Sequence, residues 1–587
     1  MIPLLALACS ASIPYGEDPP ITNHVEDWRD EVIYQVIVDR FANGDVNNDW
    51  NVSRSEDLNR YLGGDYQGLI DRVDYLTALG VTTIWISPVV VNVEEDAGIA
   101  SYHGYWTQDF TNVNPHFGDL AKLRELVDVM HQHDIKVLVD VVVNHVGQLF
   151  YYDINHNGQA DITTWYGTDG SDSLEIVTEW DPAYDERGIQ SWTSLGEAGP
   201  APLGWVSMPE INREPPSPVE FWNDDWYNKR GRVTDWNDLD QVVTADFPGG
   251  LKDLATENPN VRQALIEVFS DWITWTNIDG FRIDTVKHVE EDFWTEFCPA
   301  IRQHAASLGK ERFLLMGEVF DGDDQLVGRY TQTDMLDTLV DFPAKYQVVD
   351  GVFKNGGATA AVQTLYEQQQ LSWGQIEHEG GVGVAPRDLS LHFMDNHDVA
   401  RFIFDVDQYG SQDTDPVAAL ESALAWLLTT DGAPVLYYGT EQGFEGGNDP
   451  SNREPLWWSG YDTDGELFRW IAALTALRQA HEPLRRGGVT FTWTTEHTGQ
   501  EEDAGMLAYE RWTEDERVLV VINTHDTQTS VSSYQGLGMA TGFAPGTVLV
   551  DGLGRALSGS GQTWTVAADG SLVVELPPRG AVVLVEG

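Results

Sequence analysis

Short apolar runs alternate with amphipathic stretches from residue 31 to about residue 485. "EVIYQVIVDRF" (31–41), "VTTIWISPV" (81–89), "IKVLVDVVVNH" (135–145), "GFRID" (280–284), "RFLLMGEVF" (312–320), "DTLVDF" (337–342), "LSLHFMDNHD" (389–398) and "APVLYYG" (433–439) read as strands. Helical spacing lies between most of them, as in "LIDRVDYLTALG" (69–80), "LAKLRELVDVMHQHD" (120–134), "NVRQALIEVFSDWITWT" (260–276) and "PVAALESALAWLLTT" (416–430). Near-continuous apolar strands separated by helices predict a parallel sheet covered on both faces. Eight such units predict an α/β fold of the (β/α)8 TIM-barrel type.

Two stretches depart from that rhythm. Residues 146–245 follow the third strand and are rich in Asp, Asn, Gly, Pro and Trp with little periodicity, which predicts an irregular functional insertion. After about residue 486, "GMLAYERW", "RVLVVINT", "GTVLVDG" and "SLVVELPPRGAVVLV" alternate with Gly-rich turns, which predicts a terminal all-β sandwich domain. The expected organisation is a leader and tether (1–27), the barrel in two parts (28–145 and 246–485), the insertion (146–245) between them, and the β domain (486–587).

Composition narrows the partners. A chain of 587 residues is long enough for two to four domains, and its 42% hydrophobic and 11% aromatic content is that of a globular protein. The 22 Trp and 21 Tyr pack in cores but also stack on sugar rings. With 34 basic against 94 acidic residues the net charge is −60, so nucleic acid and anionic membrane surfaces, which need a positive footprint, are poor partners. Only 8 of the basic residues are Lys, and the acidic ones are spread along the chain. That surface resembles those of salt-adapted proteins, in which ions screen self-repulsion; the other reading is a merely acidic exported protein.

The two cysteines, Cys9 and Cys298, exclude a disulfide framework. "IPLLALACS" (2–10) looks like the end of a bacterial lipoprotein signal, with Cys9 as the lipidated residue and the only link to a membrane. It is too short to span a bilayer and lacks the positive n-region of an export signal. Export to the extracellular space or cell envelope is the expectation it carries. Cys298, after the helical "EDFWTEF", reads as an inert core thiol.

Active sites of such barrels lie at the C-terminal ends of the strands. Those ends carry Asp140 with Asn144-His145 on the third strand and Arg282-Ile283-Asp284 on the fourth. They carry Gly317-Glu318 on the fifth and Asp395-Asn396-His397-Asp398 on the seventh. In "GFRIDTVKH" (280–288) the period-2 pattern puts Arg282 and Asp284 on one face, where the arginine favours the ionised carboxylate. A structural ion pair would look the same in isolation. The coincidence at four strand ends points to a site.

"DVVVNH", "GFRIDTVKH", "GEVF" and "FMDNHD" resemble the four signature regions of the α-amylase family of glycoside hydrolases, and "HGYW" (103–106), "LKDLATENP" (251–259) and "GGNDPSNREPLWWSGY" (446–461) extend the likeness from about residue 31 to the C-terminus. The resemblance implies that Asp284 is the nucleophile, Glu318 the general acid/base, and Asp398 the third carboxylate, which steadies the transition state. It implies that His145 and His397 donate to the reacting glucose and that Tyr105 stacks on it. Lys287 and His288 would face the leaving group, while Asp449 and Arg453 would bind the preceding sugar. Desolvation after the apolar run Phe313–Met316 would raise the Glu318 pKa. Asn144, Asp253 and the His288 carbonyl are similar to the family's calcium site, although "LKDL" replaces the usual "LPDL". Asn43, Asp45, Asn48, Asp49, the Gly63 carbonyl and Asp65 are similar to a second calcium loop, with Asn43 in place of the usual Asp. Oxygen ligands suit Ca2+. A plain Asn/Asp-rich turn is the alternative for that loop.

The implied activity is a retaining endo-hydrolysis of α-1,4-glucosidic bonds in an α-glucan by a monomeric enzyme. Alternatives are a cyclodextrinase or maltogenic amylase, which usually carries an N-terminal domain that residues 10–27 cannot supply, and a glucanotransferase, which usually carries further C-terminal domains. A catalytically inert glycan-binding protein is the alternative of another class, and loss of a catalytic carboxylate would mark it. Salt dependence is testable directly. Lowering the salt from 0.15 M to 0.01 M lengthens the screening distance from about 8 Å to about 30 Å, so the melting temperature should fall as NaCl is removed. The same melting temperature from 0.01 M to 2 M NaCl refutes salt adaptation.

Overall fold

Eight short parallel strands form the centre of the molecule: β1 (Ile33–Val36), β2 (Thr83–Ile86), β3 (Lys136–Val141), β4 (Gly280–Ile283), β5 (Leu314–Gly317), β6 (Thr338–Leu339), β7 (Leu391–Phe393) and β8 (Ala433–Tyr437). Their hydrogen-bonded order is β6-β5-β4-β3-β2-β1-β8-β7, and a parallel bridge between Val340 and Leu391 joins the two ends into a closed barrel. This computed structural model describes residues 18–587 apart from 97, 153–160, 167–172, 179–202, 206–213, 234, 411–413 and 555–561. The leader residues with Cys9 lie outside the described residues. No helix among the described residues is long and apolar enough to cross a membrane.

The pleat explains the continuous apolar runs. Ile33, Trp85, Leu138, Leu314, Met316, Leu391, Phe393 and Val435 pack together inside the barrel. The alternate positions of the strands, among them Tyr34, Ile84, Val137, Phe281 and Leu315, pack outward against the helices. Helices Leu120–Gln132, Pro259–Thr276 and Pro416–Thr429 start on side-chain caps from Asp119, Asn258 and Asp415, which satisfy amide groups that have no partner in the first turn. Cys298 is buried on helix Glu291–Ser307, and burial pushes its thiol up to about 12.

The structure shortens several expected strands. The run 31–41 is a strand only to Val36; Val38–Phe41 turns into a helix, because Asp39 there accepts the backbone N–H groups of Leu62 and Gly63. The insertion is less irregular than its composition suggests. Among its described residues, Phe150–Tyr152 pairs with Leu203–Trp205 and Asp161–Tyr166 with Ser173–Thr178. His145–Val146 and Lys252–Asp253 form an antiparallel neck that holds together the points where the chain leaves and re-enters the barrel.

The C-terminal domain is all β. Strands β9 (Gly488–Trp493), β10 (Met506–Trp512), β11 (Arg517–Asn523), β12 (Val548–Asp551), β13 (Thr563–Thr565) and β14 (Ala581–Glu586) form one sheet in the order β9-β10-β11-β14-β12-β13. One face packs Met506, Leu519 and Leu584 against Leu572, Val574 and Leu576. Leu507, Tyr509 and Ile522 alternate with those positions and join the barrel's outer core. Tyr509 also bonds Thr429 at 2.6 Å, so this domain braces the end of a barrel helix.

Candidate active site

Register sets the site. Asp140 on β3 and Met316 on β5 both lie level with Arg282 on β4, and all three side chains alternate into the barrel. Asp284 and Glu318 follow just past the ends of β4 and β5. Asp284 N–H bonds the Val141 carbonyl, and Glu318 N–H bonds the Ile283 carbonyl, both at 2.9 Å. Only glycine fits immediately before Glu318, since a Cβ at Gly317 would lie 2.3 Å from Leu336 and 2.8 Å from Val286.

Arg282 is the hub. Its Nη1 donates to Asp140 at 2.9 Å and to Asp284 at 2.7 Å, and its Nη2 reaches Glu318 at 3.1 Å. The guanidinium lies 5.2 Å from the Trp85 ring centre and 5.8 Å from that of Tyr105. Its own side chain is 1% exposed, and those of Asp284 and Glu318 are 9% and 6% exposed. Asp140 also accepts from Trp85 Nε1 at 3.1 Å and Tyr105 Oη at 2.8 Å, and burial raises its carboxyl to about 6.

The arginine does not dominate the titration as expected from the tripeptide alone. Burial pushes the Asp284 carboxyl well up; Arg282 pulls it down, and repulsion from Glu318 and Asp140 adds to the rise. Burial also raises Glu318 against the pull of Arg282. One guanidinium shared among three carboxylates does not offset the desolvation of all three, so the cluster favours keeping a proton.

Thr285 was not anticipated. It adopts φ +50°, a left-handed conformation that a β-branched residue rarely takes, and thereby turns its N–H toward Glu318 Oε2 at 3.3 Å. Gln35 was also missed: its side chain bonds His397 Nδ1 at 2.7 Å. No sequence signal marks either, because one is a backbone conformation and the other is set by β1 lying beside β8.

The remaining candidates gather around this hub. The Tyr105 and His397 rings stack 5.1 Å apart at 5°. His397 Nε2 lies 3.2 Å from Asp398. Arg453 reaches Asp398 at 3.4 Å and Asp449 at 2.9 Å, and its Nε donates to the His397 carbonyl at 3.0 Å. Lys287 Nζ donates to the Phe320 carbonyl at 2.6 Å and sits 3.4 Å from Asp321, one turn beyond Glu318. His288 is tied through Nδ1 to the Val242 carbonyl at 3.0 Å. Burial lowers the imidazoles of His145 and His288 to about 3 and about 4 and holds that of His397 well below the usual histidine value, so all three are neutral and can donate one N–H.

Two of the expected metal positions, Asn144 and Asp253, are neighbours across the neck. Leu254 N–H bonds the Asn144 carbonyl at 2.9 Å, and Asp253 pairs with His145 across the neck. The Phe247 ring lies between the two histidines, 5.4 Å from the His145 ring and 5.0 Å from the His288 ring. Asp253 Oδ2 accepts from Asn228 at 2.8 Å, but its Oδ1 is buried without a partner. Burial drives this carboxyl well up. An orphaned, desolvated carboxylate oxygen fits a hard cation.

In the second loop, Asp65 accepts the Gly44, Asp45 and Gly68 N–H groups and Asn43 donates to Asp49 at 2.9 Å. A Cβ on Gly63 would touch both Asn43 and Asp49, and Asn48 Oδ1 is buried and unpartnered. The donors of both sets include amides and backbone carbonyls, and no cluster of three His, Cys, Asp or Glu side chains in ligating geometry occurs among the described residues.

The geometry predicts a specific instability. Arg282→Met would leave Asp140, Asp284 and Glu318 buried without their cation, at a cost of about 3–5 kcal/mol. The melting temperature should drop sharply at pH 7, and the deficit should narrow as the pH falls and the carboxyls take up protons. A variant as stable as the parent at pH 7 overturns the hub role.

Comparison with known proteins places this site in a family. The family model described as "Alpha amylase, catalytic domain" matches residues 35–487, and "Alpha amylase, C-terminal all-beta domain" matches residues 497–586. A β/α-amylase of Paenibacillus polymyxa is 31% identical over 531 residues, covering 88% of this chain and 35% of that protein. The crystal structure of an Anoxybacillus α-amylase superposes with a TM-score of 0.71 at 28% identity, over 96% of this chain and 99% of that one. A cyclomaltodextrin glucanotransferase with a three-domain ABC distribution superposes with a TM-score of 0.69 at 26% identity, over 94% and 98%. The chain spans from 35% to 60% of the length of the first curated relatives it matches.

Proposed function

We propose, on the premise that the chain belongs to the α-amylase family of glycoside hydrolases, that it hydrolyses internal α-1,4-glucosidic bonds of starch, glycogen and maltooligosaccharides with retention of configuration. The observation that carries the reading is one guanidinium holding two carboxyl groups from adjacent strand ends, Asp284 at 2.7 Å and Glu318 at 3.1 Å. Asp284 attacks the anomeric carbon in its ionised form, which the Arg282 guanidinium at 2.7 Å favours against the opposing effect of burial. Glu318 then keeps the proton that the buried cluster favours and delivers it to the leaving oxygen. In the second step Glu318 takes a proton from water, and the water oxygen displaces Asp284. Asp398, with His397 and Arg453 beside it, holds the hydroxyls of the distorted ring, and neutral His145 donates a further hydrogen bond.

Calcium belongs to the same reading. Asn144, Asp253 and the His288 carbonyl would hold one ion at the neck of the insertion, and Asn43, Asp45, Asn48, Asp49, Gly63 and Asp65 would hold a second. The ion supplies positive charge that relieves the buried Asp253 and ties the insertion to the barrel beside the nucleophile strand. Chelation is therefore expected to lower both the melting temperature and the activity, by loss of a ligand of the folded state. A protein that contains no calcium as purified and melts identically with and without chelator rejects the assignment.

Glucan transfer is the second reading. It is favoured by the likeness to a three-domain glucanotransferase, which removes domain count as a discriminator. Transfer yields cyclic or elongated glucans, whereas hydrolysis yields new reducing ends. All three carboxylates are present, which disfavours an inert binding protein.

Proton NMR of the first products decides the stereochemistry: α-anomeric maltooligosaccharides are expected, and β-anomers appearing first sink the retaining mechanism. Asp284→Asn, Glu318→Gln and Asp398→Asn should each lose several orders of magnitude in kcat with the fold intact, since they act on the transition state. An active Asp284→Asn protein sinks the choice of nucleophile.

A further inference from the structure

Packing fixes the place of the His397 ring but not its proton. Tyr105 stacks on its face at 5.1 Å and the Trp85 ring meets it edge-on at 6.4 Å. Asn452 and Arg453 each donate to its backbone carbonyl at 3.0 Å. These contacts hold the loop and the plane of the ring. They do not select the nitrogen that carries the proton, because a half-turn of the imidazole exchanges each nitrogen for a carbon of nearly the same size.

Gln35 is placed to make that selection. It follows the inward-facing Ile33 by two residues on β1 and lies level with Trp85 on β2, so its side chain also points into the barrel. That side chain is buried, and its amide lies 2.7 Å from His397 Nδ1. The other ring nitrogen, Nε2, lies 3.2 Å from Asp398. A carboxylate only accepts, so the neutral ring presents its one N–H at Nε2 and a lone pair at Nδ1. Gln35 therefore donates, and its Oε1 is left buried with no partner among the described residues. An orphaned oxygen makes glutamine a poor choice for packing at an inward barrel position. What it contributes there is the one bond to His397.

We propose that Gln35 is a positioning residue for glycosidic cleavage, holding His397 in the tautomer whose Nε2–H faces Asp398 and the reacting sugar. The inference rests on the glucan-hydrolase reading above. Burial, with the Arg282 and Arg453 guanidiniums nearby, keeps the ring neutral, so the tautomer rather than the charge is what remains to be set. Released from Gln35, the ring gains access to the other tautomer. A lone pair at Nε2 would then oppose the Asp398 carboxylate and offer no donor to a sugar hydroxyl. Gln35 acts through the ring, so its loss weakens a hydrogen bond that matters more in the transition state than in the ground state.

The test reads both the tautomer and the kinetics of the full-length protein. Nitrogen NMR of histidine-labelled enzyme, with the His397 signal identified by its loss in His397→Gln, should show the proton on Nε2 in the parent. In Gln35→Met, which keeps the length of the side chain without its donor, the proton should divide between both nitrogens. On amylose that variant should lose about ten- to a hundredfold in kcat with KM within about threefold, the usual scale for removing a group that orients another. Gln35→Glu serves where the methionine variant does not fold. Its carboxylate, among Arg282, Arg453, His103 and Asp398, accepts instead of donating, so Nδ1 should take up a proton and kcat/KM should gain a further ionisation. A parent ring protonated on Nδ1, or a variant whose His397 signal matches the parent's, overturns the proposal whatever happens to the melting temperature. Failure of the parent to release reducing ends from any α-1,4-glucan overturns the underlying reading instead and leaves the tautomer result standing.

Discussion

A single buried arginine, held among three carboxylates from neighbouring strands, is the constraint that organises the molecule. Placing Asp140, Asp284 and Glu318 inside a barrel costs desolvation energy that no one of them could sustain unpaired. Arg282 makes the cluster tolerable, and the cluster in turn demands that β3, β4 and β5 keep one register. A shift of one residue on β4 would turn Arg282 out of the barrel and leave the carboxylates with no cation. Catalytic geometry and barrel integrity therefore rest on the same contacts.

The surrounding structure enforces that geometry by means that leave little freedom. Gly317 lets β5 pass close under Leu336, Thr285 is held in a left-handed turn that aims its N–H at Glu318, and Tyr105 is pinned by Asp140 and stacked on His397. Burial keeps the rim histidines neutral, so they leave the rim with hydrogen-bond donors and without cations that would compete with Arg282. The net effect is a close set of carboxyl groups in which burial favours retaining a proton.

Outside the rim the same logic of compensated burial recurs. The neck pairing Lys252–Asp253 with His145–Val146 returns the chain to the barrel beside Asn144. The C-terminal sheet covers an outer barrel helix while its other face closes a separate core. The acidic charge is carried largely by the surface, where solvent and ions screen it, while buried acids meet arginines or backbone amides, and one oxygen of Asp253 is buried without a partner.

Much of this was legible in the amino-acid order. Barrel strands are buried on both faces, so they appear as apolar runs, and polar residues interrupting them at the C-terminal ends stand out; that is why Asp140, Arg282, Asp284, Glu318 and Asp398 are conspicuous in the sequence itself. The period-2 pattern alone put Arg282 and Asp284 on one side of β4. Other features depend on what lies beside a residue in space. The sequence could not show that Arg282 also serves Asp140 and Glu318, which reversed the expected direction of the Asp284 titration, because strand register and depth of burial are tertiary quantities. It could not place Gln35 against His397, turn Thr285 left-handed, or end β1 at Val36 where Asp39 meets the Leu62 and Gly63 amides. Local pattern determines which face a side chain takes; only the closed barrel decides which other side chains it meets there.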